Sequence, residues 1–190
     1  MIIILYIYFL LLLSSSATAQ EEDEPHLIVA ARENNLTSFL VEMRTPSNDN
    51  PSYNSIDAQN QHGGTALQWA AFHGNLEMVD ALVSSGADVD LGNKLGYTPL
   101  MLSVMKKHEG VAIYLIRARA DVNAKTLDVQ STALHYASWH GAYDVVEALI
   151  EYGADMMATD AHGHRAVSVA SGSGHRKVRD MIARRSGESL

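Results

Sequence analysis

The residues in this chain best equipped for chemistry are its nine histidines, set among serines and aspartates and accompanied by no cysteine. The absence of cysteine removes disulfides, thiolate metal sites and a cysteine nucleophile together. It does not report the compartment, because a chain without thiols can enter an oxidising space unchanged. The serines and histidines are wrongly spaced for hydrolysis. No G-x-S-x-G elbow, G-x-x-x-x-G-K-[ST] phosphate loop or H-E-x-x-H pair is present. Gly172-Ser173-Gly174 falls where a helix should end, which asks for turn flexibility and not for a nucleophile. Metal binding has one candidate set: Asp160, His162 and His164 share a predicted turn, and His140 could add a donor from a neighbouring element. Solvated turn histidines are the simpler account of the same residues.

The elements that position these side chains repeat along the chain. Thr65-Ala66-Leu67-Gln68, Thr98-Pro99-Leu100-Met101 and Thr132-Ala133-Leu134-His135 recur 33 and 34 residues apart, and a degraded copy, Arg165-Ala166-Val167-Ser168, follows after another 33. Behind the first three lie Gly86-Ala87-Asp88-Val89-Asp90, Arg119-Ala120-Asp121-Val122-Asn123 and Gly153-Ala154-Asp155-Met156-Met157. Periods of this length belong to stacked repeats. Thr65 can cap a helix through its hydroxyl, and Pro99 stands at a first-turn position where a missing N–H costs nothing. Leu67, Ala70 and Ala71 then form a narrow stripe whose alanines allow close approach. Gly74 can end this helix in the left-handed conformation. Leu76, Val79, Leu82 and Val83 supply the apolar face of a second helix, which Gly86 ends. One such pair cannot bury its own face, so neighbours must stack.

The period, the T-x-L start, the helix-ending glycine and the G-A-D-V-N tail together resemble the ankyrin repeat over roughly residues 56–182. The resemblance implies an all-α solenoid of about five helix–turn–helix repeats with short β-hairpin-like turns. A weaker first copy is expected, with Leu27 to Arg32 as one helix and Leu36, Phe39, Leu40 and Met43 on the next. The expected organisation is a signal peptide over 1–19, an acidic segment over 20–25 and a degenerate capping repeat plus loop over 26–55. Ankyrin repeats follow over 56–183 (about 60–92, 93–126, 127–159 and 160–183), then a tail over 184–190. The loop Arg44 to Ser55 is rich in Pro and Asn, as a surface connection should be.

The middle repeat departs most from the pattern. Lys107 replaces the glycine found at Gly74 and Gly141, and Arg119 replaces the one at Gly86 and Gly153. Either the repeat is locally weakened by residues held at positive φ, or its first helix extends to about Glu109-Gly110. One extra residue before Thr132, with Gln130 in place of the turn glycine, predicts a distorted third hairpin.

In proteins of the family resembled, partners contact hairpin tips and the last turn of each first helix, which line one concave face. That placement selects His62, Lys94, Tyr97, His162 and His164 at tips. At helix ends it selects Phe72, His73, Met105, Lys106, Trp139 and His140. Aromatic residues and Met are enriched in protein interfaces, although Phe72 or Trp139 could instead pack against the next repeat. His135, fourth in its T-A-L-H motif, is expected to hydrogen-bond between repeats. The implied function is non-catalytic binding of another protein, without cofactor, as a monomer; a metal- or small-ligand-binding protein using the turn histidines is the alternative.

Composition agrees. The chain is 47% hydrophobic and 19% charged with a formal net charge of −8, values of a globular protein and unfavourable for nucleic-acid binding. Its basic residues gather late, at Arg165, Arg176, Lys177, Arg179, Arg184 and Arg185, as a terminal helix complementing its own dipole would have them. Ile2 to Leu13 is an unbroken apolar run, shorter than the roughly 20 residues that span a bilayer. Ala17-Thr18-Ala19 after it fits signal-peptidase cleavage before Gln20. The expectation is therefore a secretory, extracellular or periplasmic protein with no membrane attachment after cleavage; an uncleaved anchor is the alternative. Asn35-Leu36-Thr37 is a glycosylation sequon in such a compartment.

Overall fold

The computed structural model describes residues 24–44 and 55–187. The expected signal peptide, the acidic residues up to Asp23, the loop between Arg44 and Ser55 and the last three residues lie outside that description. Among the described residues the chain forms ten helices in five pairs. These are α1 (His26–Arg32) with α2 (Leu36–Arg44), and α3 (Ala66–His73) with α4 (Leu76–Ser84). Next come α5 (Pro99–Met105) with α6 (Glu109–Arg117), and α7 (Ala133–His140) with α8 (Tyr143–Glu151). The last pair is α9 (Ala166–Gly172) with α10 (Arg176–Ser186). The final helix thus runs three residues into the expected tail before Gly187 ends it.

Local chemistry explains where the helices start and stop. Thr65 accepts from the Gln68 N–H at 3.2 Å, Pro99 opens α5 behind Thr98, and Gly74 and Gly141 end α3 and α7 at φ 73° and 71°. The alanine stripe is fully buried at Ala66, Ala70, Ala71, Ala133, Ala137, Ala166 and Ala170. These small residues let the first helices pack on one another more closely than the second helices do. Leu67, Leu82, Leu100, Leu115, Leu134 and Leu149 are also fully buried, each worth about 1.5–3 kcal/mol. Leu76 is a correction. It was expected in the core, but it opens α4 and is 46% exposed, while Met78 fills the core position at 0%. The same opening position is taken by Glu109, Tyr143 and Arg176 in the three later second helices, all outside the buried face.

The middle repeat keeps its glycine-like backbone without the glycines. Lys107 and Arg119 lie at φ 63° and 68°, a conformation costing about 1 kcal/mol or more for a residue with a Cβ. The extension of the first helix to Glu109 does not occur. Helix α5 ends at Met105, and α6 begins at Glu109. Arg119 has a compensating contact, its guanidinium 5.4 Å from the Tyr152 ring. The third hairpin is one residue longer than the others, closed by Thr126 N–H to Ser131 O at 3.0 Å with Gln130 at φ 53°. Gln130 Nε2 steadies it by donating to Thr126 O at 3.1 Å.

A ladder of side-chain bonds to backbone also crosses the repeats, between each second helix and the hairpin that follows it. Asp57, Asp90 and Asn123 each accept, through side-chain oxygen, the backbone N–H of Asp88, Asp121 and Asp155 one repeat on, at 2.7–3.0 Å. The G-A-D-V-N motif is thereby a device for joining repeats, and it holds their register.

Candidate functional site

Two rows of residues, the hairpin tips and the ends of the first helices, make up the expected contact face, the inner face of the stack. The first row is the hairpin tips, which are joined to one another by their backbones: Lys94 N–H donates to His62 O at 3.1 Å, Leu127 N–H to Leu95 O at 2.9 Å, and Ala161 N–H to Val129 O at 2.9 Å. His62, Lys94, His162 and His164 are exposed along this row. The second row is the last turn of each first helix, where Phe72, His73, Met105, Lys106, Trp139 and His140 are all half-buried.

Within the second row the side chains are organised by aromatic contact. Phe72 meets Trp69 edge-on at 5.7 Å and His73 edge-on at 5.2 Å, with Lys106 Nζ 4.2 Å above its ring. Trp139 and His140 form the matching pair two repeats later, 4.5 Å apart. Phe72 and Met105 also pack against the core, so each is both a structural and a displayed group.

Four imidazoles face backbone carbonyls of the preceding repeat from two alternating positions, and three of them are bonded there. His73 Nε2 lies 2.7 Å from Arg32 O, and His140 faces the equivalent carbonyl of Met105 outside hydrogen-bond geometry. In the third and fifth repeats the ring comes instead from the residue just before the second helix. His108 Nε2 is 3.1 Å from Phe72 O, and His175 Nε2 is 3.0 Å from Trp139 O. Burial holds His73 and His140 below the ordinary imidazole value, and nearby positive groups, among them Lys106 for the first and Lys107 for the second, add to the effect.

Tyr97 is the clear correction among the expected contact residues. It is 4% exposed, its ring 6.3 Å from Tyr136 and its hydroxyl donating to Asp128 at 3.4 Å. Burial, and then the neighbouring Tyr136, push its hydroxyl far above the usual phenol range. It follows the tip glycine and precedes Thr98, so its side chain turns under the tip and into the core. Leu127 is the residue that sequence reasoning missed. It is 68% exposed at the third tip; the extra residue in that hairpin, visible in the sequence, moves the tip one position earlier than the regular period implies.

The Asp160, His162 and His164 cluster is a turn. Asp160 Oδ1 accepts the N–H groups of both histidines at 2.8 Å, and His164 Nδ1 lies 3.3 Å from Asp160 Oδ2. Among the described residues no three His, Asp or Glu side chains are arranged to share a metal ion. His135 behaves as expected: it is buried, and its Nε2 lies 3.0 Å from His164 O in the next repeat.

The family profile described as ankyrin repeats (three copies) matches residues 6–93, 27–126 and 86–160. The chain belongs to the ankyrin-repeat family. Among curated relatives of this ankyrin chain, the tyrosine-protein kinase Shark of Drosophila melanogaster is 28% identical over 130 residues, covering 68% of this chain and 14% of that protein. The E3 ubiquitin-protein ligase KEG of Arabidopsis thaliana is 33% identical over 119 residues, 60% of this chain and 7% of its own length. The ankyrin repeat protein nuc-2 of Neurospora crassa is 32% identical over 111 residues, 57% of this chain and 10% of its own. The chain spans about a seventh or less of each. What is shared is the ankyrin stack, a non-catalytic interaction fold and a general module for binding proteins.

Proposed function

We propose that the chain is a non-catalytic scaffold that binds a protein partner, as a monomer, through the inner face of its ankyrin stack. The observation that carries the reading is the pair of half-buried aromatic–imidazole groups, Phe72 with His73 and Trp139 with His140, repeated at the ends of α3 and α7. Groups of this kind anchor interfaces because they bring large area at small entropic cost. Lys94, Lys106, His62, His162 and His164 rim them with polar contacts, as interfaces require. The chain's net charge of −8 favours a protein over a nucleic acid as the partner. Replacing Phe72 and Trp139 together by alanine is expected to weaken partner binding at least 100-fold, measured by calorimetry, while the far-ultraviolet circular dichroism stays that of the parent. Collapse of the helical signal in the double variant would assign both rings to folding instead.

The same proposal places the chain in the secretory route, outside the cell or in a periplasm. Its support is the apolar run Ile2 to Leu13 with Ala17-Thr18-Ala19 behind it, and the sequon at Asn35. Asn35 is exposed and its Oδ1 accepts the Ser38 N–H at 3.1 Å, which leaves the amide nitrogen available for a glycan. Material from the native host is expected to begin at Gln20. In a host that glycosylates, it should lose mass on N-glycosidase treatment, and an Asn35→Gln variant should not. A start at Met1 would mean an uncleaved anchor.

A further inference from the structure

Charge is partitioned by repeat in this stack. Residues 55–92 contain Asp57, Glu77, Asp80, Asp88 and Asp90 and no Lys or Arg, and residues 127–159 contain Asp128, Asp144, Glu147, Glu151 and Asp155 and again no Lys or Arg. Every Lys and Arg between residues 55 and 159 belongs to the middle repeat. Three of them, Lys94, Lys106 and Lys107, lie on the tip and helix end that contribute to the inner face. Lys106 stands over the Phe72 ring at 4.2 Å, between the two aromatic groups. Lys107 is exposed and held at φ 63°, where both adjoining repeats have glycine.

We propose, building on the inner-face reading above, that the partner segment is an extended acidic peptide with two apolar anchors. One anchor docks at Phe72 and His73, the other at Trp139 and His140, and the carboxylates between them face Lys94, Lys106 and Lys107. The spacing is set by the stack. Helices packed at about 8–10 Å place sites two repeats apart at roughly 16–20 Å, which an extended chain covers in about five or six residues. The acidic repeats on either side make the selection sharper, because a basic segment gains nothing at the middle repeat and an acidic one is driven into a single register.

The test is selection of a displayed random dodecapeptide library on the full chain, held in a mild non-ionic detergent, in parallel with the Lys94→Glu/Lys106→Glu/Lys107→Glu variant. The expected winners on the parent combine Asp or Glu with two Trp, Phe or Leu about five or six positions apart. On the charge-reversed variant they should switch to Lys and Arg. Synthetic winners should bind the parent at least tenfold more weakly after Phe72→Ala or Trp139→Ala, at least 100-fold more weakly to the triple variant, and progressively more weakly as salt rises. Thermal melting of each variant checks that the stack is intact. Winners without acidic excess, selections that do not change on charge reversal, or no binder to this face overturn the proposal. Neutral or basic winners that still depend on Phe72 and Trp139 would refute the acidic partner and leave the inner-face reading standing. Winners indifferent to every one of these substitutions would refute both.

Discussion

Replacing His135 by alanine is expected to cost about 2–4 kcal/mol and roughly 5–12 °C in melting temperature, whereas replacement by glutamine costs less than about 1 kcal/mol. The side chain is 3% exposed and bridges two repeats. Its Nδ1 accepts from the Thr132 N–H at 3.2 Å and lies 2.9 Å from the Thr132 hydroxyl, so the ring proton belongs on Nε2, which donates to His164 O at 3.0 Å. Alanine leaves the buried Thr132 N–H without a partner, removes the bond to His164 O, which keeps only its Asp160 N–H donor, and opens a cavity. Glutamine should hold both bonds, because Gln68 already performs both tasks at the same position two repeats earlier. Its Oε1 accepts from the Thr65 N–H at 3.4 Å, and its Nε2 donates to Leu91 O at 2.7 Å and Tyr97 O at 3.0 Å. Equal losses for alanine and glutamine, in thermal or urea melts, would contradict this account.

The same residue sets a pH dependence. Burial holds the His135 ring below its ordinary value of 6.5, against the pull of the His164 carbonyl and Asp160 and with some help from Lys125. The folded state thus resists a proton that the unfolded state accepts. Stability contributed this way is complete above about pH 6.5 and falls as pH drops toward the lowered folded value, by at most about 1.4 kcal/mol per pH unit for one such proton. His73 and His140 act in the same direction but are more open to water and count for less. A His135→Gln variant should accordingly show a shallower loss of stability between neutral and mildly acidic pH than the parent.

A second large effect is expected at Gly74. Gly74→Ala should cost about 2–4 kcal/mol, and most of the excess over about 1 kcal/mol should vanish when His108→Ala is added. A Cβ at Gly74 would lie 2.4 Å from His108 Nδ1, with the backbone at φ 73°. The ring would have to leave the Phe72 carbonyl. Gly141 repeats the arrangement, its Cβ position 2.4 Å from His175 Nδ1. The two exceptions obey the same rule. Lys107 is tolerated where the residue just before the following repeat's second helix is Ala142, and Asn34, at φ 54°, is met by Asn75, whose Nδ2 donates to Asn34 Oδ1 at 2.9 Å. A double-mutant cycle on Gly74 and His108 should therefore give a coupling of about 1–2 kcal/mol, and simple additivity would remove the steric explanation.

These two sites show what could be read from the residues. The period, the capping threonines, Pro99, the alanine stripe and the helix-ending glycines are local signals, each acting within a few residues, and together they define the ankyrin stack from sequence. His135 was legible for the same reason, because its place in a T-A-L-H motif implies its bond. Other features were decided across repeats. His73 and His140 alternate with His108 and His175 in facing the same last-turn carbonyl, and only the stacking of one repeat on the next brings that carbonyl to the ring. Tyr97 went to the core and Leu127 to the surface because the tips stack on one another, and a one-residue insertion there changes which side chain is left outside. Sequence by itself determined the repeat, its count and the positions from which an inner face is drawn. Only the tertiary structure decided which of those positions are exposed, since exposure depends on the neighbouring repeat and not on the residue's own place in its helix or turn.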